Sequence, residues 1–221
     1  NRITIGDNKN ITVSASVSGT TAVITAGGQV RAGDDGIATF SDIVITGSVS
    51  DTISVSFTVT YQRLSDNQTV TVTSSARAIT LTHGAAAQIT MTNSATARSG
   101  VAFTAQPVVQ ILDAYGNLVS TGGQSTQTVT LTSTGSTLSG TSVISASAGI
   151  ATFSNIALEG LVGSKTISAE ILTPSSFSTS GAVSLSFGDA AQVTLERAAA
   201  GAANRSAFTT QPQVALRDSA G

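Results

Sequence analysis

Residues 149–156 read GIATFSNI and closely repeat residues 36–43, GIATFSDI, which lie 113 positions earlier in the chain. A second pair joins AITLTHGAAAQITM at 78–91 to AVSLSFGDAAQVTL at 182–195, with an offset of 104 positions. A period of about 100 residues is too long for a solenoid repeat and is typical of an array of small domains. The sequence therefore predicts tandem copies of one structural unit.

A third repeat indicates how much of each copy is present: AFTAQP at 102–107 recurs as AFTTQP at 207–212. A unit of about 100 residues can bury a core without disulfide bonds. We therefore predict a complete domain at 84–187, a domain lacking its first strands at 1–83, and the first strands of a further domain at 188–221.

The composition favours β-structure over helix. Serine and threonine make up close to a third of the 221 residues, and runs rich in Ala, Glu, Lys and Leu are missing. Only 10% of the residues are charged and the net charge is −2, which indicates no nucleic-acid partner and no anionic membrane surface. No apolar run approaches the roughly 18 residues of a membrane span. Cysteine is absent, so disulfide and thiolate chemistry are excluded.

Alternating apolar and hydroxyl residues predict strands along the whole chain. In residues 52–61, for example, Ile53, Val55, Phe57 and Val59 share one face. The same pattern predicts strands at 11–17, 37–40, 88–92, 102–105, 108–113, 127–133, 142–146, 150–158, 165–172 and 178–187. Eight short strands in the complete domain, separated by turn signals, indicate an all-β fold built as a two-sheet sandwich.

Comparison of the copies predicts which face of each strand is buried. Val109 and Ile111 correspond to Val214 and Leu216, and positions that stay apolar between copies are expected in the core. The same reasoning predicts further core pairs, namely Phe40 with Phe153, Ile43 with Ile156, Ile53 with Ile167, Leu81 with Leu185, and Ile89 with Val193.

Three acidic residues, Asp34, Asp35 and Asp42, suggest either a turn or a calcium loop. A calcium ion needs several convergent oxygen ligands, and the second copy has Ser147 and Ala148 in place of the paired aspartates. We therefore favour a turn and predict no metal site and no cofactor.

Other candidate groups also favour structural roles. Asp113 and Asp218 precede turns at matched positions, which indicates side-chain capping rather than metal binding. His83 is the one histidine, and no Gly-x-Ser-x-Gly motif accompanies it, so a Ser-His-Asp site is not expected. Glu159 and Glu170 stand at variable surface positions. We predict no catalytic residues and no enzyme activity.

The sequence also contains candidates for two covalent modifications. Lys165 would form an isopeptide bond with an Asn only beside a carboxylic acid, and the first copy has Asp51 at the matching place, so a solvated lysine is expected. Glycosylation sequons begin at Asn10, Asn67 and Asn204, and they arise readily in a chain this rich in Ser and Thr.

Residues 102–117, AFTAQPVVQILDAYGN, followed by GIATF at 149–153, closely resemble the bacterial immunoglobulin-like repeats of invasin, intimin and related large surface proteins. The resemblance covers the whole chain and implies tandem immunoglobulin-like β-sandwiches. It also implies a secreted or cell-surface location, in adhesin stalks, surface layers or sheaths, and in some cases phage particles. Members of the family share no catalytic residues. Their usual order puts the Phe-Thr-x-Gln-Pro strand early in each domain, so the ends of this chain fall inside domains.

These observations lead us to expect a non-enzymatic structural repeat segment, serving as stalk, scaffold, surface layer or filament. The expected partners are neighbouring copies of the same repeat or chain. The incomplete ends suggest either a window onto a longer array or strand complementation, in which 188–221 completes 1–83 of a neighbouring chain. The alternatives are an immunoglobulin-like domain of a phage particle, or an adhesive module for carbohydrate or a host protein, for which only Tyr61 and Tyr115 offer loop aromatics.

Overall fold

The chain folds into two compact units, which we describe separately. The first unit comprises Asn1–Gly84 with Tyr115–Asn117, and the second comprises Ala85–Ala114 with Leu118–Gly221. The computed structural model describes residues 11–32, 36–63, 65–172 and 176–221. The three-part division predicted from the repeats stays a prediction.

The described residues form strands and one short 3-10 turn at Gly123–Thr126, with no α-helix, so the predicted all-β class is confirmed. The strands of the first unit are β1 (Thr12–Ser18), β2 (Val23–Ala26), β3 (Gln29–Arg31), β4 (Val44–Thr46), β5 (Ile53–Gln62), β6 (Thr69–Thr73) and β7 (Arg77–Ile79). Those of the second unit are β8 (Ala86–Thr92), β9 (Thr96–Arg98), β10 (Val108–Asp113), β11 (Thr128–Thr134), β12 (Thr137–Ser139), β13 (Val143–Ser145), β14 (Ile150–Thr152), β15 (Ala157–Glu159), β16 (Gly163–Ile171), β17 (Phe177–Ser186), β18 (Gln192–Arg197) and β19 (Gln213–Arg217). None of the described residues belongs to a helix of the length and apolarity that a membrane crossing requires.

The second unit contains a three-stranded sheet, β14-β10-β8, and a five-stranded sheet, β13-β11-β16-β17-β9, with β12-β15 and β18-β19 as separate pairs. Inward residues of both larger sheets join one hydrophobic cluster, to which β10 contributes Val109 and Ile111 and β11 contributes Val129 and Leu131. Period-2 alternation produces this arrangement, because every second side chain of each strand points to the same face. Each fully buried aliphatic side chain stabilises the fold by about 1.5–3 kcal/mol.

The predicted core of the complete copy is confirmed, since Ile89, Phe153, Ile156, Ile167 and Leu185 are all buried. The prediction was wrong for the matching residues near the end of the chain. There, the side chains of Val193, Val214 and Leu216 are mostly exposed to solvent. The physical reason is that these residues have the pattern of a core face, but no second sheet covers them in this structure.

Two predicted strands are absent, although their residues are described. Residues 102–105 form only an isolated bridge through Ala102 and a hydrogen bond from Phe103 N to Ile156 O. Residues 37–40 form no strand, whereas the matching residues of the second unit are β14. β14 exists because it pairs with β10, and the described part of the first unit has no strand equivalent to β10. The short strands β2, β3, β4, β7, β9 and β12 were not predicted.

The first unit repeats one part of the second. Its larger sheet, β3-β1-β5-β6 with β7 on β5, corresponds to the five-stranded sheet, and β2-β4 corresponds to β12-β15. The strand neighbours correct one predicted match. In the first unit, Val55 lies between Val17 on β1 and Arg77 on β7. In the second unit, Ile167 lies between Ser133 on β11 and Gly181 on β17. Val55, and not Ile53, is therefore the counterpart of Ile167.

The core of the first unit is less enclosed than that of the second. Among its described hydrophobic residues only Ile53 and Val55 are buried. Phe40 and Ile43 are half-buried, while their counterparts in the second unit are almost completely buried. The rings of Phe40 and Phe57 still contact each other, with centroids 5.1 Å apart. The first unit therefore has a core that is covered on one side.

Candidate functional site

The last strands of the chain, β18 and β19, form an antiparallel pair that we call the terminal pair. Val193 lies opposite Leu216, and Leu195 lies opposite Val214. Because alternate residues of a strand point to the same face, these four side chains share one face, which we call the apolar face. Their exposed fractions are 67%, 73%, 62% and 64%, in the order named.

The equivalent strands of the complete copy, β8 and β10, have the same register. Ile89 lies opposite Ile111, and Met91 lies opposite Val109. There Ile111 and Val109 are fully buried, Ile89 is nearly so, and Met91 is half-buried against the hydrophobic cluster. The two strand pairs therefore present the same face, and only the face of β8 and β10 has a second sheet packed over it.

Polar contacts stabilise the register of the terminal pair. Arg217 Nη2 forms an ion pair with Glu196 Oε1 at 2.7 Å, and Arg217 Nε donates to Thr194 Oγ1 at 3.1 Å. The hydrogen bond from Arg217 holds the pKa of the Glu196 carboxyl below its ordinary value, and Thr194 adds to the effect. These contacts tie the two strands together through the side chains that alternate with the apolar face.

The terminal pair is also tied to the rest of the second unit. Asp218 Oδ2 accepts a hydrogen bond from Gly188 N at 2.8 Å, and its Oδ1 accepts from Ala220 N at 3.0 Å. Ser219 Oγ donates to Glu159 Oε1 at 2.6 Å. Asp218 thus caps its turn, as its position before a glycine predicted.

A glutamine in the repeated AFTxQP motif makes the same local bond in both copies. Gln106 Nε2 donates to Phe103 O at 2.8 Å, and Gln211 Nε2 donates to Phe208 O at 2.9 Å. Gln106 makes a second contact as well, because its Oε1 accepts from Ile156 N at 2.8 Å. Phe103 is buried, whereas Phe208 is 43% exposed. Sequence reasoning singled out the repeated motif but missed this role of its glutamine.

The structure brings none of the other candidate residues into a catalytic arrangement within the described ranges. Asp42 is exposed, and Asp34 and Asp35 lie outside the described residues. Glu159 and Glu170 lie in different sheets, on β15 and β16. Among the described residues, no group of three or more His, Cys, Asp or Glu side chains is placed to hold a metal ion.

The remaining candidates lie in local contacts. His83 Nδ1 is 2.9 Å from Gly84 O, and Asp113 is buried at the end of β10. Lys165 is paired with Val183 across β16 and β17. In the first unit, the position equivalent to Lys165 is occupied by Ile53, because Ile53 pairs with Ile79 on β7 as Lys165 pairs with Val183 on β17.

Two of the three sequons lie on described turns. Asn67 stands in the turn between β5 and β6 with a φ of 56°, and Asn204 is exposed between β18 and β19. Asn10 lies outside the described residues. Nothing in these positions distinguishes a glycosylated asparagine from an ordinary turn residue.

Asp51, noted in the sequence only as a match to Lys165, anchors a loop of the first unit. Its Oδ2 accepts hydrogen bonds from both Thr21 Oγ1 and Thr21 N, each at 2.7 Å. These bonds, the side-chain one first, lower the pKa of the Asp51 carboxyl from its ordinary value. The contact supports the fold, and among the described residues Asp51 belongs to no group of three or more potential metal ligands.

Comparisons with known proteins add only a distant likeness. No protein-family model matches this chain, and no curated protein matches it. It is similar to a crystal structure of the β-glucuronidase of Parabacteroides merdae with glycerol in the active site, at 12% identity and a TM-score of 0.35, covering 78% of this chain and 20% of that one. A second crystal structure of that enzyme gives 11% identity, a TM-score of 0.36 and the same coverage. The chain spans about a fifth of the enzyme's length, and this likeness assigns it neither a family nor an activity.

Proposed function

We propose that this chain is a non-enzymatic structural repeat segment of a secreted or cell-surface bacterial protein, built from tandem immunoglobulin-like β-sandwiches. The observation that carries the proposal is the shared register of β8 with β10 and of β18 with β19. One structural element recurs with the same strand pairing and the same apolar face. Repetition of a framework is what a stalk, scaffold, surface layer or filament requires.

The differences between copies support the same proposal. Apolar character recurs at the core positions, whereas the residues that alternate with them change, as Gln110 becomes Ala215 and Leu112 becomes Arg217. A binding or catalytic site carried by every copy would need the same polar groups at the same places. Selection for packing alone leaves the outward positions free to vary.

The mechanism would be mechanical. In the second unit, β16 and β17 are joined over nine residue pairs, from Gly163 with Leu185 to Ile171 with Phe177. Many backbone hydrogen bonds act together in such a ladder, and the shared hydrophobic cluster resists separation of the two larger sheets. A unit of this kind would act as a stiff element in a chain of similar elements.

Single-molecule force spectroscopy on the whole chain, held by handles at its two ends, tests this function. The complete copy is expected to unfold in one cooperative step that releases about 35 nm of chain, since an extended residue spans roughly 3.3–3.6 Å. Gradual extension without a discrete step would contradict a mechanical role. Saturable binding of the chain on glycan or host-protein arrays would favour the adhesive alternative instead.

A further inference from the structure

Within the second unit, the complete copy and the terminal pair are joined by the short segment 187–191, which we call the junction. It follows Ser186, the last residue of β17, and precedes Gln192, the first residue of β18. A short linker that contains glycine bends freely unless contacts hold it. The contacts of the junction therefore decide whether the two parts keep a fixed orientation.

Backbone hydrogen bonds fix both edges of the junction. On the side of the complete copy, Ser99 N donates to Ser186 O at 2.9 Å. On the side of the terminal pair, Ala191 N donates to Arg217 O at 2.8 Å. Each edge thus continues the strand pairing of the part that it adjoins, and the middle of the junction must be held by other groups.

One carboxylate holds the middle of the junction. Gly188 is buried, and its N–H donates to Asp218 Oδ2 at 2.8 Å. The other oxygen of that carboxylate accepts from Ala220 N at 3.0 Å, in the turn after β19. An added Cβ at Gly188 would collide with Ser99 O, so the glycine lets the junction lie against the complete copy. Asp218 therefore connects that point of close approach with the turn of the terminal pair.

Two other polar contacts link the same parts, and both lie at the surface. Arg98 Nη2 pairs with Asp189 Oδ1 at 2.7 Å, but the two side chains are 52% and 84% exposed, and ion pairs this exposed contribute little to stability. Ser219 Oγ donates to Glu159 Oε1 at 2.6 Å. The bond to Asp218 differs because its donor is a buried backbone N–H, for which the loss of a partner is costly.

The repeat in the sequence singles out the same link. Its glycine and its aspartate both recur one repeat earlier, as Gly84 and Asp113, and Asp113 is buried as well. The acid of the surface ion pair and the serine bonded to Glu159 are both replaced there by alanine, at Ala85 and Ala114. Of the three links, only the one between glycine and aspartate has its residue types preserved.

We propose that Asp218 is a positioning residue that sets the angle between consecutive repeats, by locking the backbone of the junction to the turn after β19. The inference rests on the proposed structural function and names the group that lets a stalk or filament resist bending. A carboxylate offers two acceptor oxygens, whereas the amide of asparagine offers one acceptor oxygen and a donor. The lock therefore needs both oxygens of Asp218.

Spin labels attached to introduced cysteines test the lock, since the chain has no cysteine of its own. Thr132→Cys on β11 and Gln213→Cys on β19 put one label on the complete copy and one on the terminal pair, both at exposed positions. Pulsed electron paramagnetic resonance is expected to give a narrow distribution of the distance between the labels. Asp218→Asn should broaden that distribution by roughly twofold, because a short linker released from its hydrogen bond samples many angles.

The matched control is Asp189→Asn, which removes the same charge from the junction but breaks only an exposed ion pair. It should leave the distribution unchanged. A second label pair, Gln192→Cys with Gln213→Cys, lies wholly within the terminal pair. Its distribution should stay narrow in Asp218→Asn, which shows that the variant releases the junction without unfolding the two strands.

A broad distribution in the parent chain, or no broadening by Asp218→Asn, would refute the lock. Equal broadening by Asp218→Asn and Asp189→Asn would also overturn it, since the effect would then be one of charge. Broadening within the terminal pair would do the same, because it would mean that Asp218 supports the strands and not the angle. A complete copy that still unfolds in one discrete force step would leave the structural function standing in each of these cases.

Discussion

Val193 and Leu216 are cross-strand partners in the terminal pair, and both expose most of their side chains to solvent. Their counterparts Ile89 and Ile111 are partners in the same register and are buried. Contiguous exposed apolar residues on a soluble protein commonly mark an interaction surface. The two pairs are both apolar and have the same register, so the difference in their burial comes from the covering sheet alone.

Alanine substitution is expected to have very different effects at the two equivalent positions. Ile111→Ala removes a side chain from the closed core and should lower the free energy of unfolding of the second unit by about 2–5 kcal/mol. Leu216→Ala removes an exposed side chain and should lower it by less than about 0.5 kcal/mol. Urea denaturation at dilute protein concentration measures both. Equal losses would mean that the apolar face is covered in solution.

Replacing the buried side chain of Gln127 is expected to stabilise the protein. Neither polar atom of this side chain has a hydrogen-bond partner, and an unsatisfied buried polar group costs about 1–3 kcal/mol. Ile11 holds the same place in the first unit, since Ala32 N donates to Ile11 O as Ala146 N donates to Gln127 O. Gln127→Ile should therefore raise the unfolding free energy by about 1 kcal/mol, measured by urea denaturation.

The control for this substitution is Gln124→Ile. Gln124 Oε1 accepts a hydrogen bond from Ala86 N at 2.9 Å, so the same replacement should destabilise the protein there. Stabilisation by both variants would indicate a general effect of added apolar surface and would refute the explanation based on Gln127.

A glycine at a close backbone approach is expected to be irreplaceable. Gly140 has a φ of 95°, and an added Cβ would collide with the carbonyl oxygen of Asn155. Gly122 also has a positive φ, 74°, but an added Cβ there would meet nothing within 4 Å. Gly140→Ala should lower the melting temperature clearly more than Gly122→Ala, since the latter bears only the backbone strain of about 1–2 kcal/mol. Equal shifts would show that the clash relaxes without cost.

Asp51 is expected to contribute to the pH dependence of the stability of the first unit. Its pKa is lowered in the folded state by the bonds from Thr21, so its contribution to stability is present above the pKa of the unfolded chain and is lost as the pH falls through the folded value. The difference in melting temperature between the native chain and Asp51→Asn should therefore shrink on acidification below about pH 4. Asp42→Asn serves as the control for removal of one charge, and a difference that persists at low pH would contradict the assignment.

The all-β class and most core positions were predictable because they depend on local pattern. Phe153 and Ile156 recur in a repeated segment, and a residue that stays apolar between copies is one that packing constrains. The same comparison could not decide whether Ile53 or Val55 is the counterpart of Ile167 in the first unit. The two segments differ in length before the strand, and only the neighbouring strands reveal the two-residue shift.

The sequence by itself determined the repeat, the strand periodicity and the identity of the inward faces, since these follow from residue types along one stretch of backbone. Only the tertiary structure decided which of those faces are covered. Val214 and Val109 have the same pattern, yet one is exposed and the other buried, because burial depends on whether a second sheet packs over the strand. Likewise, residues 37–40 and 150–153 are identical in sequence, but only the latter contain a strand, Ile150–Thr152, since strand formation requires a hydrogen-bonded partner from elsewhere in the chain.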